Sequence, residues 1–135
     1  MSELFQHEIL DSGIHYFTCI SNSSESVHSY FRQASTLIQE IVNDNPNEQV
    51  VVRFLIDFRQ ITLPSFADVV AETVDLQRRP SISTDRLTRR FAFLSDDEKL
   101  IDLIDSLGAL TPTTYERRVF KANMANEAID GLLES

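Results

Sequence analysis

The sequence predicts a single α/β domain spanning residues 1–135, with a mostly parallel central sheet, an N-terminal β-hairpin and helices packed on the sheet. Three observations predict it. Apolar residues switch along the chain between a period of two and steps of three and four, the signatures of strands and helices. Gln49 to Phe58 (QVVVRFLIDF) is nearly continuously apolar, as a strand buried on both faces is. No repeat and no linker-like composition divides the 135 residues, a length that fits one domain.

Phe5 to Leu10 reads as a short strand. Asp11-Ser12-Gly13 supplies turn chemistry, and Ile14 to Ile20 (IHYFTCI) is rich in β-branched and aromatic residues, so the pair reads as a hairpin. Asn22-Ser23-Ser24 offers N-cap side chains. Val27, Tyr30, Phe31, Ala34, Leu37, Ile38, Ile41 and Val42 then place one apolar stripe on a helix of about four or five turns. Asn43 to Asn47, with Pro46, ends it.

After the central strand, Pro64 and Ser65 open a second helix. Ser65 and Asp68 form a capping pattern, Phe66, Val69, Val70 and Val74 line its buried face, and Arg78-Arg79-Pro80 closes it. Residues 80–88 read as a loop. Arg89 to Leu94 reads as a strand, and Ser95-Asp96-Asp97-Glu98 as a capping box for a helix with Leu100, Ile101, Leu103, Ile104 and Leu107 inward and Gly108 at its end. Thr111 to Thr114 is a loop, and Tyr115 to Phe120 the last strand. Asn123 is placed to cap a final helix whose apolar face is Ala125, Ala128, Ile129, Leu132 and Leu133. The predicted order is β-β-α-β-α-β-α-β-α, which implies right-handed crossovers.

Composition narrows the function class. Twelve Lys and Arg against 21 Asp and Glu give a net charge of −9, which disfavours nonspecific nucleic-acid binding. A single cysteine, Cys19, excludes an intrachain disulfide. The N-terminus, MSELFQHEIL, lacks the basic and apolar regions of a secretory signal. No apolar run approaches the ~18 residues of a membrane-spanning helix, so a cytoplasmic protein with no integral membrane segment is expected.

The element order resembles the STAS or SpoIIAA-like family, small α/β domains related to anti-sigma-factor antagonists. The local similarities are LIDFRQITLP (Leu55 to Pro64), RRFAFLSDDEKLIDLIDSL (from Arg89) and RRVFKANMANEAIDGLL (from Arg117). The resemblance implies a central strand–Asp–loop–helix unit and a non-enzymatic module that binds a protein partner in bacterial signalling or regulation. Its switch is an Asp-Ser-Ser-Gly motif whose second serine is phosphorylated. The matching stretch here is Ser65-Phe66-Ala67-Asp68, so alanine stands at the phosphoserine position and aspartate at the glycine. The usual switch is therefore not carried over. Ser65 stays near a helix start, where it reads first as an N-cap. Asp57, Arg59, Ser65, Phe66 and Asp68 are the candidate partner surface. Some relatives are associated with apolar ligands, so a carrier or sensor of a small lipid-like molecule is the alternative, with nine Phe available to line a cavity.

Ten of the twelve basic residues are Arg. Arg78, Arg79, Arg86 and Arg89, with Arg59 nearby, form a candidate anion site, because guanidinium forks suit carboxylates and phosphates. Pairing with the many acidic residues is the plainer reading. His7 and His15 fall on the two hairpin arms as exposed polar positions, without the spacing of a metal site. Cys19 reads as a buried structural cysteine. Asp57, at the end of the central strand, is placed either to cap the turn and pair with Arg59 or to meet a ligand. No catalytic or phosphate-binding motif occurs, so neither an enzyme nor a cofactor is expected. A homodimer stays open because the hairpin presents an edge strand.

Overall fold

Gly13 adopts φ 86°, which a residue without Cβ takes at little cost, and its N–H donates to the Leu10 carbonyl at 2.8 Å. That reversal joins β1 (Phe5–Ile9) to β2 (His15–Cys19). The pair is antiparallel, with Phe5 opposite Cys19 and Ile9 opposite His15. The computed structural model describes residues 5–20, 23–59, 87–108 and 115–134.

Helix α1 (Ser24–Asp44) buries Ala34, Ile38 and Val42, the inner positions of the expected stripe. It ends where Asn45 Nδ2 donates to the Ile41 carbonyl at 2.8 Å, occupying an acceptor the helix leaves open. Asn47 then takes φ 66°, a conformation asparagine tolerates. The long apolar segment becomes β3 (Val50–Asp57). It is the middle strand of five, in the order β1-β2-β3-β4-β5. Its partner β4 (Leu87–Leu94) pairs with it along its whole length, from Val50–Leu87 to Asp57–Leu94. Leu87 and Thr88 therefore belong to a strand and not to the loop expected over 80–88. The reason is register, since an eight-residue β3 draws out an equally long neighbour. The expected second helix, with Ser65, Phe66 and Asp68, lies outside the described residues, as do Arg78, Arg79 and Arg86.

Helix α2 (Glu98–Gly108) follows, and its cap differs in detail from the expected box. Asp97 is the cap, accepting from the Lys99 N–H at 3.0 Å, while Ser95 Oγ accepts from the Asp97 N–H at 3.0 Å one step earlier. Strand β5 (Tyr115–Phe120) and helix α3 (Ala125–Leu133) complete the chain. Asn123 does not cap α3. The residue before the helix is Met124, and no side chain bonds to the free N–H groups there.

The sheet is mixed. The hairpin is antiparallel, and the β2–β3, β3–β4 and β4–β5 pairs are parallel. Because successive parallel strands are also neighbours, right-handed crossovers put their helices on one face. Accordingly α1 and Leu100 of α2 pack with Phe17, Val52, Phe54, Ile56 and Phe93 in one core. Helix α3 follows the last strand and is not a crossover, so that rule does not govern it. It packs Ala128 and Leu132 on the opposite face, against Ile14, Leu55, Ala92 and Leu94.

The second core is smaller and rests on few side chains. Leu94→Ala is expected to cost about 2–5 kcal/mol, because Leu94 is 0% exposed and faces α3. Val51→Ala, at a residue 42% exposed, is expected to cost about 1 kcal/mol or less. Urea unfolding of the two variants beside wild type checks the contrast, and equal losses would contradict the described core.

Candidate functional site

Parallel sheets offer functional positions at the carboxyl ends of their strands. Here those ends are knitted together. The Phe58 N–H donates to the Leu94 carbonyl at 3.0 Å, and the Ser95 N–H to the Phe120 carbonyl at 3.1 Å. At the centre stands Asp57, 2% exposed. Its Oδ1 accepts from the Arg59 backbone N–H at 2.9 Å and from Arg59 Nε at 3.0 Å. Its Oδ2 accepts from the Tyr16 hydroxyl at 2.7 Å and from Arg59 Nη2 at 2.6 Å. Arg59 Nη2 also donates to the Tyr16 oxygen at 3.2 Å, closing a three-membered network.

The electrostatics follow from that geometry. Burial alone pushes the Asp57 carboxyl up. The hydrogen bonds from the Arg59 side chain and backbone and from Tyr16, with the Arg59 charge, outweigh burial and hold it below its ordinary value. Arg59 is held more firmly protonated, chiefly by its hydrogen bond to Asp57. The Tyr16 hydroxyl is pushed up by burial first, then by its hydrogen bond to Asp57 and the carboxylate charge. With both oxygens engaged, Asp57 serves as a positioning group and is poorly suited to act as a base. What it positions is Arg59, whose Nη1 reaches across to donate to the Ala122 carbonyl at 3.1 Å. The Ala122 N–H in turn donates to Asp96 Oδ1 at 3.0 Å. The chain just before α3 is thus held from both sides, by β3 through Arg59 and by the β4–α2 connection through Asp96.

Of the expected partner surface, the structure brings Asp57 and Arg59 into direct contact; Ser65, Phe66 and Asp68 lie outside the described residues. Of the expected anion site, only Arg89 is described. It is buried in β4 opposite Val52, on the α1 face, roughly 16 Å along the sheet from the Asp57 register position. It is therefore not gathered with Arg59. Tyr16 escaped the sequence reading, because its meeting with Asp57 depends on how β2 and β3 pair. The parallel register sets Tyr16 beside Leu55 and Thr18 beside Asp57, a relation no local pattern carries.

Arg53 and Arg90 also escaped it. Both point to the α3 face and donate to carbonyls at the end of that helix. Arg53 Nε reaches the Leu132 carbonyl at 2.8 Å. Arg90 Nη1 reaches Leu132 at 3.0 Å and also Glu134, and its Nη2 reaches Gly131 at 3.3 Å.

His15 corrects its expectation. It is buried at 9% exposure, its edge against Phe54, because its strand position faces the α1 core. His7 Nε2 and His15 Nδ1 lie 3.1 Å apart, a hydrogen bond that needs at least one neutral ring. Burial lowers the affinity of both rings for a proton, and the neighbouring His7 lowers that of His15 further. Cys19 is buried, and its thiol is pushed up to about 12 by burial and then by the Asp57 charge, which suits a packing role. Among the described residues, no group of three or more His, Cys, Asp or Glu is placed to hold a metal, and no helix is long and apolar enough to cross a membrane. No family model, no curated protein and no solved structure matches the chain.

Two predictions follow from these networks. Tyr16→Phe removes one donor to a buried carboxylate and is expected to cost about 1–2 kcal/mol, read by urea unfolding near neutral pH. A wild-type midpoint in that variant would mean the hydroxyl contributes nothing. The acid side is expected to fall in two limbs. His7 and His15 bind protons more weakly folded than their ordinary value of 6.5, so their contribution is complete above that pH and is lost as the pH falls through the lowered folded values. Asp57, held below 3.8, gives a second loss that starts only near that pH and continues through its own folded value. The double variant His7→Phe/His15→Phe is expected to flatten the first limb and leave the second, measured as unfolding midpoints across the acid range.

Proposed function

We propose that the chain is a non-enzymatic, STAS-like module that binds a protein partner in a bacterial signalling or regulatory setting, without the usual phosphoserine switch. The observation that carries this reading is the end of the central strand. Asp57 is buried with both oxygens occupied, and it fixes Arg59 and the departure of the following chain. A fixed rim of that kind suits the display of a docking surface better than proton transfer. The resemblance supports the reading as well, since the strand–Asp unit it implies is central and β3 is the third of five strands.

The finer architecture belongs to the same proposal. β3 and β4 are parallel, so the chain leaving Asp57 must return to the amino end of the sheet before Leu87. Such a crossover needs about a dozen residues or more and is usually helical. The helix expected from Pro64 to Arg79 would supply it, completing the β-β-α-β-α-β-α-β-α order.

Affinity purification from a native lysate, in wild-type, Arg59→Gln and Ser65→Glu forms, tests the proposal. Thermal unfolding of each form is run alongside. Loss of the same partner from both folded variants is the expected result. Identical partner sets in all three would remove this surface from the proposal. A wild-type chain that captures no protein but carries a lipid-sized mass in native mass spectrometry would favour the apolar-ligand carrier instead. The ring-to-ring contacts running from His7 through Phe17, Phe54 and Phe91 to Phe93 and Phe58 count against that outcome, because they are packed core.

A further inference from the structure

At the opposite end of α3 from Arg59, the helix and strands β4 and β5 enclose a cleft of about 360 Å³. Ala92, Phe120 and Leu132 give it an apolar lining, and Arg90 and Arg118 bring two guanidinium groups to it. Arg118 is held in place without being consumed. Its guanidinium carbon sits 5.1 Å over the centre of the Phe120 ring. Its Nη1 presses on Gly131 so closely that a Cβ there would lie 2.9 Å from it and 3.3 Å from Phe120. A Cβ there would displace the end of the Arg118 side chain from that seat. Among the described residues Arg118 pairs with Glu134, 3.7 Å away, with side chains 59% and 69% exposed, a contact of little strength. Arg90 keeps its two Nη groups on the α3 carbonyls, while its Nε holds Glu116 at 2.8 Å on the rim.

We propose that this cleft binds a small organic oxyanion, a carboxylate or phosphate monoester carrying a compact apolar body. The oxyanion takes the places of the Glu134 and Glu116 carboxylates at Arg118 Nη1 and Arg90 Nε. The apolar body lies on Phe120, above the nearly covered Ala92 and Leu132. Guanidinium forks match both headgroups, and a fork already fixed by stacking loses less freedom on binding than a free one. The two glutamates act as resident stand-ins that a ligand must displace. The site does not depend on the partner-binding proposal, whose described residue Arg59 is bonded at Ala122, ahead of the other end of the helix.

The test is a titration of the full chain by ¹H–¹⁵N NMR at constant ionic strength, with benzoate, phenyl phosphate, acetate and inorganic phosphate as probes. Saturable shifts are expected at the Gly131 amide and the Arg118 Nε–H, with the aromatic probes binding more tightly than acetate and phosphate. Comparing benzoate with phenyl phosphate decides the headgroup. Arg118→Gln, at an exposed side chain, is expected to weaken binding about tenfold or more. Gly131→Ala keeps every charge, so weakened binding in that variant, with thermal unfolding run alongside to show it folded, reports the displaced Arg118. Glu116→Gln removes a resident competitor and is expected to tighten binding. The proposal is overturned by an absence of saturable shifts, by shifts spread evenly over the arginines, or by an affinity that Arg118→Gln and Gly131→Ala leave unchanged.

Discussion

Arginine donating to main-chain carbonyls holds the second face of the sheet in place. Helix α3 has nine residues, about 13 Å of length, and faces a sheet of five strands spaced ~4.8 Å apart. It has no side-chain N-cap, and its buried residues are Ala128, Gly131 and Leu132, with Ala125 and Ile129 partly buried beside them. Left to propensity and apolar area, so short a helix is marginal. Arg59 bonds the carbonyl of Ala122 ahead of it, and Arg53 and Arg90 bond the carbonyls where it ends. The carbonyls at its last turn have no partners within the helix, and positive charge there also complements the helix dipole.

The network explains why the basic residues are so largely arginine. Lysine carries one compact ammonium, whereas a guanidinium fork reaches several acceptors in a plane. Arg90 uses this in full, bonding two α3 carbonyls, the Glu134 carbonyl just beyond them and Glu116 at once. Arg59 similarly joins Asp57, Tyr16 and Ala122. Pairing with the acidic excess is thus only part of the role of these residues. Much of it is saturation of backbone groups that would otherwise go unpaired under a thin cover.

What was legible in the sequence was what short-range periodicity encodes. The hairpin turn announces itself at Gly13, the stripe of α1 at Ala34, Ile38 and Val42, and the central place of β3 in its nearly continuous apolar run. The Asp57–Arg59 contact was legible too, because its partners are only two positions apart. Long-range pairing was not. Tyr16 meets Asp57 only through the β2–β3 register, and Arg53 meets Leu132 only because α3 folds back over the sheet. A mid-strand arginine inside QVVVRFLIDF was still a usable signal, since a cation in a strand covered on both faces requires a partner from elsewhere in the chain. Asn123 misled because capping ability is a local property, whereas the start of α3 is fixed by remote hydrogen bonds at Ala122.

The net charge of −9 takes on a different meaning against this layout. A summed charge governs what the molecule meets at long range, and salt screens it beyond about 8–10 Å. Inside that distance the local arrangement decides. On the α3 face Arg53, Arg90 and Arg118 stand about one helix end, with Glu116 and Glu134 on the rim beside them. The arginines are seated by carbonyls and by the Phe120 ring, whereas the two glutamates are tethered only by their own exposed side chains. An acidic protein can in this way keep a positive cleft, because geometry fixes its cations more firmly than its anions.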